Sequence, residues 1–259
     1  ALKSRTVLSG TAECLSGLHV GTGSSFDPIE NDQPVLKDGS GRPYIPGTSF
    51  RGVLRSTLES MLRALGGDQA WACDPFERKK SCSDRVHDES KDESEPHRRV
   101  EVAWGKMCTV CRLFGCASFA SRVAVSDLVL TNPNAFGLDV RDGVGIDRDK
   151  RIAAPKIKYD FEVVSAGTSF AFSIGIDNAS DADLGLILSG LHQIDIGQAR
   201  IGGKTSRGLG HLRLRLAPPM RLTARELLFG KKVEVGQASA SPLELLGRYE
   251  AALSEIAGA

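Results

Sequence analysis

The sequence predicts an α+β fold whose core runs strand, helix, strand, strand, helix, strand. Apolar residues recur at helical spacing in two segments of this core, as they do in amphipathic helices. In the other segments they alternate with polar residues, as they do in strands with one buried face. Two polar stretches, at 68–110 and 135–160, interrupt the order and are predicted to be insertions.

The first helix is the clearest element of the chain. It lies within residues 46–67, where the apolar residues share one face. Thr48 or Ser49 stands in place to cap it. Arg51 and Arg55 lie on the opposite face, and with bare amides at the helix start they suit a phosphate group.

The remaining elements follow from the same two periodicities. Strict alternation is clearest in the segment FAFSI, and the segment LRLRL alternates leucine with arginine. The predicted strands are 5–15, 121–131, 170–176 and 211–217, and the predicted later helices are 181–197 and 242–256. This order is that of the ferredoxin-like βαββαβ unit and of the RNA-recognition module, whose aromatic signature is absent here.

Composition places the chain among ordinary globular proteins. It has 259 residues and a net charge of +1, so the overall charge makes no case for nucleic acid. No apolar run is long enough to span a membrane, and the N-terminus lacks the apolar core of a signal peptide, so a cytoplasmic location is expected. Residues 196–221, however, carry six Lys or Arg and no acid, which favours a polyanionic partner.

The segment ARIGGKTSRGLG, residues 199–210, resembles the end of a phosphate-binding P-loop. That motif needs a glycine where this chain has Gln198, and it needs a strand before it and a helix after it. Here a helix is predicted before the turn and a strand after it. A nucleotidase is therefore excluded, and a glycine-rich cationic turn remains to be explained.

Six cysteines suggest a metal site before a disulfide, because the expected compartment is reducing. The CxxC pair Cys108 and Cys111 has the spacing of a zinc knuckle. Cys73 and Cys82 lie in the same polar insertion, and the four together are the predicted structural zinc ligands. Cys116, His87 and His97 are rival ligands. The centre of the insertion, residues 83–99, has few large apolar side chains and is expected to be disordered.

Four motifs in order resemble one family. They are GLHVGTG after the first strand, PYIPGTSFRGVLRSTLE at the first helix, CRLFG before ASRVAVSDL, and RIGGKTSRGLGHL before the last core strand. Together, over about residues 5–217, they are similar to the RAMP superfamily (repeat-associated mysterious proteins), and most of all to the backbone subunits of type III CRISPR effector complexes.

The resemblance implies an RNA-binding role. Its expected partners are a CRISPR guide RNA, a complementary target RNA, other effector subunits and further copies of the chain. The glycine turn becomes a nest for RNA phosphates, formed by the amides of Gly202 and Gly203 with three polar side chains. The implied RNA-binding residues are His19, Ser49, Arg51, Arg55, Arg148, Lys150, Arg151, Gly202, Gly203, Lys204, Ser206 and Arg207.

The resemblance also implies a domain plan. Residues 1–217 form the RAMP domain, with a zinc-bearing insertion at 68–110 and a thumb-like excursion at 135–160. Residues 218–259 are expected to be a helical C-terminal extension packed on the same domain.

A catalytic aspartate is the last implication. Asp32 stands ahead of an extended segment, where the family carries an acid for metal-dependent cleavage of target RNA; the metal would be Mg²⁺ or a similar divalent ion. Asp27 and Glu30 are supporting ligands or unrelated neighbours, and Asp38 favours a turn. Two alternatives stay open. If Asp32 only caps a turn, the chain is a non-catalytic scaffold; if His19 is a general base, it is a stand-alone ribonuclease that processes precursor RNA.

Overall fold

The chain is seen in a computed structural model that describes residues 1–22, 32–66, 71–77, 79–90, 93–231 and 236–257. Its mixed helix and sheet content confirms the α+β class. The strands are β1 (Ser4–Cys14), β2 (Val123–Val125), β3 (Val129–Leu130), β4 (Leu138–Asp147), β5 (Ile152–Val164), β6 (Ser169–Asp177), β7 (Leu212–Leu216) and β8 (Met220–Thr223). The helices are α1 (Gly47–Gly66), α2 (Cys82–Ser90), α3 (Pro96–Gly105), α4 (Thr109–Phe114), α5 (Asp181–Asp195), α6 (Ala224–Leu228), α7 (Pro242–Leu246) and α8 (Glu250–Ala257), with 3₁₀ turns at Thr205–Arg207 and Gly247–Tyr249.

Six strands form one antiparallel sheet with β1 near its centre. The order along the sheet is β2, β6, β1, β7; β3 pairs with β6 beside β2, and β8 pairs with the other half of β1. The register sets Leu8 of β1 opposite Ile174 of β6 and Ala12 opposite Leu214 of β7. The predicted alternation in β6 is confirmed, because every second residue from Phe170 to Ile176 is buried.

Helix α1 begins at Gly47, and its cap differs from the prediction. The Gly47 N–H donates to the Asp127 carboxylate at 2.8 Å, so the cap comes from a distant loop and not from Thr48 or Ser49. The N–H groups of Ser49 and Phe50 donate to the Pro46 carbonyl oxygen. The amides of Gly47, Ser49 and Phe50 are therefore used inside the protein, against the expectation that the helix start offers bare amides to a phosphate.

Helices α1 and α5 pack against each other and against the sheet. A side chain at Gly190 of α5 would lie 2.5 Å from a methyl carbon of Leu54, so glycine permits this close approach. Phe50 stacks on Phe172 of β6 at 5.8 Å between ring centres. Helix α8 contacts α5 on its other side, where Leu253 meets the glycine face at Gly185.

The cysteine-bearing insertion is helical, which corrects the expectation of disorder over residues 83–99. Helices α2 and α3 pack together within the described part of this segment. They bury only a few small side chains, such as Val86 and Ala103. Four buried cysteines join the same core, and their clustering replaces the large apolar residues that the sequence lacks here.

The second excursion is a long antiparallel hairpin formed by β4 and β5. The register shifts once: the two positions from Val144 to Ile146 face the five positions from Ala153 to Lys158, so β5 carries three extra residues there. Val140, Val144, Ile146 and Ile152 are about half exposed, so the hairpin projects from the core. The chain has no helix, within the ranges that the structure describes, that is long and apolar enough to cross a membrane.

Candidate nucleic-acid interface

An open cleft of about 610 Å³ lies where three separate segments meet. The segments are the loop after β1, the first two turns of α1 and the glycine turn before β7. The cleft is lined by His19, Val20, Gly21, Gln33, Ser49, Val53, Gly202 and Gly203. The fold thus brings together four residues that the sequence separates by up to 184 positions: His19, Ser49, Gly202 and Gly203.

The glycine turn is built for close backbone approach. Gly202 has a φ of 87°, and a Cβ there would lie 2.4 Å from the His19 carbonyl oxygen. The Gly203 N–H donates to that same oxygen at 2.7 Å. This amide is used inside the protein, which corrects the expectation that it forms part of a phosphate nest. A 3₁₀ turn and then β7 follow, so the exclusion of a P-loop is confirmed.

The two cations of the turn have different surroundings. The half-buried Lys204 places its ammonium over the rings of Phe161 and Tyr159, at 4.5 and 5.5 Å, and donates to the Gln33 side-chain oxygen. Arg207 is exposed and donates to the Tyr159 hydroxyl. Arg207 therefore offers its charge to solvent, whereas Lys204 connects the turn to strand β5.

His19 is nearly fully buried below the cleft. Its Nδ1 lies 2.7 Å from the Glu162 carbonyl oxygen, so Nδ1 carries the proton and donates it. Its ring meets Phe161 edge-on at 5.7 Å. Burial lowers the His19 pKa, the bond to the Glu162 carbonyl opposes this, and the charge of Lys204 lowers it further. The surroundings of His19 therefore favour the neutral imidazole.

Asp32 lies beside the cleft, next to a second acid. The Asp32 N–H donates to the Asp160 carboxylate at 2.7 Å, and the Asp160 N–H donates to the Asp32 carboxylate at 3.0 Å. Asp32 is exposed and Asp160 is half-buried. The two other acids that the sequence offers in this loop, Asp27 and Glu30, lie outside the described residues.

The next residues continue this attachment of the loop to strand β5. The Glu162 N–H donates to the Gln33 carbonyl oxygen at 3.0 Å, and the Glu162 carboxylate accepts from the Val35 N–H at 3.0 Å. Lys37 forms an ion pair with Glu162 at 2.8 Å. We call residues 159–162 of β5 the β5 clamp, because they hold the segment 32–37 through backbone and side-chain bonds.

Arg51 and Arg55 do not line the cleft. They lie about 200° around α1 from Ser49 and Val53, respectively, at 3.6 residues per turn. Arg51 donates to the Phe114 carbonyl oxygen and covers the Phe114 ring, and Arg55 pairs with Glu59 at 2.8 Å. The side chains of these two arginines therefore face the cysteine-bearing insertion and not the cleft, where their phosphate contacts were predicted.

The three predicted cations of the excursion lie at the tip of the hairpin. Arg148, Lys150 and Arg151 are all exposed. The tip is a tight turn in which the Asp147 carboxylate accepts from the N–H groups of Asp149 and Lys150, at 3.0 and 3.1 Å. These cations are thus held on an ordered turn, far along β5 from the cleft.

Four cysteines come together in the insertion. The sulfur atoms of Cys73, Cys82, Cys108 and Cys111 all lie within 4.8 Å of one another, and all four residues are buried. Cys73 lies in a loop, Cys82 begins α2, and the other two lie at the start of α4. This arrangement is able to hold one metal ion.

Two arginines and several N–H groups face the cysteine sulfurs. Arg85 donates to the Cys82 sulfur at 3.1 Å, and Arg55 donates to the Cys111 sulfur at 3.7 Å. Hydrogen bonds within the cluster, from Cys108 first, lower the Cys82 pKa, and those from Cys111 lower the Cys108 pKa to about 6. Hydrogen bonds from Cys108 raise the pKa of Cys73 and Cys111, so the cluster by itself favours thiolates at Cys82 and Cys108 only. A bound metal would favour the thiolate, the form that binds it, at all four cysteines.

The rival ligands lie apart. The cluster is formed only by the four predicted cysteines among the residues that the structure describes. Cys116 is half-buried in a turn with Phe119, and the His87 side chain is 75% exposed. His97 is also exposed.

Sequence reasoning missed the β5 clamp and Asp127. The clamp reads YDFE, an alternation of two aromatic residues and two acids, and this is the signal that was available. Its pairing with segment 32–37 joins residues about 125 positions apart, and Asp127 caps a helix that begins 80 positions before it. Contacts between residues so far apart in the chain produce no periodic pattern in a single sequence.

Comparison with known proteins identifies relatives along most of the chain. The sequence profile of the RAMP superfamily matches residues 11–213. A curated protein of Methanocaldococcus jannaschii named CRISPR system Cms endoribonuclease Csm3 is 25% identical, covering 99% of this chain and 96% of the relative. Proteins of the same name from Methanothermobacter thermautotrophicus and Mycobacterium tuberculosis are 27% and 29% identical, covering 80% and 64% of this chain and 82% and 61% of their own lengths.

Proposed function

This chain belongs to the RAMP superfamily, and we propose that it is a backbone subunit of a type III CRISPR effector complex that binds guide RNA and cuts the complementary target RNA. The observation that carries the proposal is the cleft, where the loop after β1, the start of α1 and the glycine turn converge next to Asp32. The names of its relatives, CRISPR endoribonucleases, support the same role.

Guide binding rests on charge and on close approach. Gly202 and Gly203 line the cleft, and Ser206 and Arg207 follow them on the same exposed turn, in a segment 196–221 that contains no acid. Phosphate groups are recognised by such cations and backbone groups without regard to base sequence. A surface of this kind suits a guide whose sequence varies.

The core that carries this surface is proposed to be ferredoxin-like. The four strands that correspond to the predicted βαββαβ unit lie in the order β2, β6, β1, β7, with α1 and α5 as its two helices. The domain plan follows: a RAMP domain over 1–217, a metal-bearing insertion at 68–110, a thumb at 135–160 that inserts between guide and target bases, and an extension at 218–259. The exposed tip cations support the thumb role.

Cleavage is assigned to Asp32. Its exposed carboxylate has the hard oxygen atoms that Mg²⁺ prefers, and a second carboxylate, that of Asp160, lies within hydrogen-bonding distance of its peptide. Asp32 would hold a divalent ion, which when bound stabilises the negative charge that develops on the scissile phosphate as the neighbouring 2′-hydroxyl attacks. The protein's own part is to hold this carboxylate beside the cleft.

The cysteine cluster is proposed to be a structural zinc site. Tetrahedral zinc with Zn–S bonds of about 2.3 Å requires sulfur atoms about 3.8 Å apart. The Cys73 and Cys111 sulfurs are 3.6 Å apart. Four thiolates leave no open coordination position, so this ion would join the loop at Cys73 to α2 and α4 and would take no part in cleavage.

The function is tested in the complex assembled on a guide RNA, with a labelled complementary target and Mg²⁺. Asp32→Asn removes one charge without changing side-chain size, and Asp38→Asn is its matched control in the same segment. We expect Asp32→Asn to slow cutting on the order of 100-fold or more, as does the loss of other groups that stabilise a transition state. Guide and target binding should stay unchanged.

Other outcomes have clear meanings. Unchanged cutting in Asp32→Asn would reduce the chain to a scaffold and place the nuclease in another subunit. Metal-independent cutting by the isolated chain, lost in His19→Ala, would favour the precursor-processing ribonuclease. The absence of bound RNA in the complex would overturn the RNA-binding proposal itself.

A further inference from the structure

We infer that Asp160 is a positioning residue for the cleavage reaction, because its carboxylate holds the peptide of Asp32 and thereby fixes the Asp32 carboxylate. This inference rests on the proposed catalytic role of Asp32. The two residues exchange hydrogen bonds at 2.7 and 3.0 Å, each from a backbone N–H to the other's side chain. The bond from the Asp32 N–H fixes the position of the Asp32 backbone, and the bond from the Asp160 N–H fixes the rotation of the Asp32 carboxylate. Both bonds are needed to hold the carboxylate in one place.

The Asp32 peptide sits at the end of the attached segment. Toward the C-terminus, Gln33 and Val35 are joined to Glu162 by further bonds. The Asp160 carboxylate is the contact that extends this attachment to Asp32 itself. Misplacement of a reacting group by about 1 Å is enough to slow a reaction on the order of 100-fold. The bond from the Asp32 N–H therefore matters more for rate than for folding.

Glu162 and Asp160 differ in what their loss would do. Glu162 is 9% exposed and is paired with Lys37 and the Val35 N–H, so its removal would damage the fold. Asp160 is half-buried. Removing the Asp160 side chain frees one N–H at an exposed position, where water replaces the lost acceptor at small cost to stability.

Position and charge are separable at this residue. Asp160→Asn keeps an oxygen at the place that accepts from the Asp32 N–H and removes the negative charge. Asp160→Glu keeps the charge and moves the carboxylate outward by one methylene group. Asp160→Ala removes both. If Asp160 positions Asp32, the cutting rate should depend on whether an acceptor oxygen remains at the same place. If Asp160 binds a metal ion directly, the cutting rate should depend on whether the negative charge remains.

The experiment uses the complete complex on its guide RNA, with single-turnover cutting and target affinity measured separately. We expect Asp160→Ala to slow cutting about 10- to 100-fold, the range seen when a supporting partner of a functional group is lost, with target affinity unchanged. Asp160→Asn should stay within a few-fold of the parent protein, and Asp160→Glu should be slowed by about 10-fold or more. The matched control is Asp142→Ala, an exposed acid directly opposite Asp160 on β4.

A second readout is independent of cleavage. Hydrogen–deuterium exchange of the segment that begins at Asp32 should accelerate in Asp160→Ala and remain slow in Asp160→Asn. Equal cutting rates in Asp160→Ala and the parent would overturn the inference. Equal losses in Asp160→Ala and Asp160→Asn, accompanied by a higher Mg²⁺ requirement, would overturn it in favour of direct ion binding. Asp32→Asn, run in parallel, tests the proposed function separately: if it still cuts, that function fails first.

Discussion

The ammonium nitrogen of Lys204 lies 4.5 Å from the centre of the Phe161 ring, so the glycine turn and the hairpin strand β5 are joined by a cation–π contact. The same ammonium contacts Tyr159 and the Gln33 side chain. Lys204 itself has a left-handed φ of 57°, a conformation that non-glycine residues adopt only where their surroundings hold them. Lys204 therefore stabilises the cleft by holding the glycine turn against β5 and Gln33.

Loss of the Lys204 charge should destabilise the chain. We expect Lys204→Met to lower the free energy of unfolding by about 1 kcal/mol, the usual size of a partly desolvated cation–π contact. Denaturant titration of the purified chain measures this. Lys158→Met, on β5, should change stability much less, because Lys158 forms an ion pair with Asp142 at an exposed site. Equal losses of unfolding free energy in the two variants would contradict the stabilising role of Lys204.

Arg207 and Lys204 should differ in their effect on guide binding. Arg207 is exposed on the glycine turn next to the cleft residues Gly202 and Gly203, so Arg207→Met should weaken binding to guides of every sequence. It should also reduce the salt slope by roughly 0.7, the value for one contact to a single strand. Lys204→Met should leave the slope unchanged because its ammonium faces aromatic rings. Affinity is measured across a series of salt concentrations. A slope that falls for Lys204→Met alone would reverse these assignments.

Zinc removal should unfold the insertion and leave the sheet intact. The purified chain should contain one zinc ion, and a strong chelator should abolish the helical signal of α2, α3 and α4, because the cysteines join α2 to α4 and α3 packs on α2. Cys111→Ser should lose the metal. Cys116→Ser, just outside the cluster, should keep it. Metal analysis together with hydrogen exchange distinguishes these results, and a metal-free native chain would remove the zinc proposal.

Stability should fall as the pH drops below neutrality, and His19 should contribute to that fall. Burial lowers its pKa in the folded chain, so the unfolded chain binds the proton more tightly. The stability that His19 provides is therefore complete above the unfolded pKa of about 6.5 and is lost as the pH falls below it. His19→Asn removes this titration. The difference in unfolding free energy between the parent and His19→Asn should shrink from pH 8 to pH 5.5; a constant difference would contradict the assignment.

Local pattern predicted the core of the fold well. Strand β6 and strand β7 were placed within one residue or so, since each alternates buried and exposed side chains. The cysteine set was also predicted in full, because CxxC spacing has a direct chemical meaning. These features depend on residues near one another in sequence, or on a residue type with few uses.

The features that were not predicted correctly depend on contacts that local sequence patterns do not record. Helices α2 and α3 bury little apolar surface, so hydrophobic periodicity had no signal for them. The hairpin strands β4 and β5 are exposed on both faces at their far end, and their alternation is correspondingly weak. The phosphate role given to Arg51 and Arg55 assumed bare helix amides, whereas Asp127 already occupies the helix start.

The β4–β5 hairpin also sets the distance between its tip and Asp160. Eight positions of β5 separate Ile152, beside the hairpin tip, from Asp160, but only five positions of β4 separate their partners Asp147 and Asp142. At about 3.4 Å per residue, the paired length of β4 gives a span of about 17 Å between the tip and the acid that holds Asp32. The three extra residues of β5 lie at the register shift, so residues can be added or removed there without moving the aromatic and acidic side chains of 159–162 to the other face. The distance between the tip and the proposed cutting site is thus set by the number of residues that pair between β4 and β5, and not by the full length of β5.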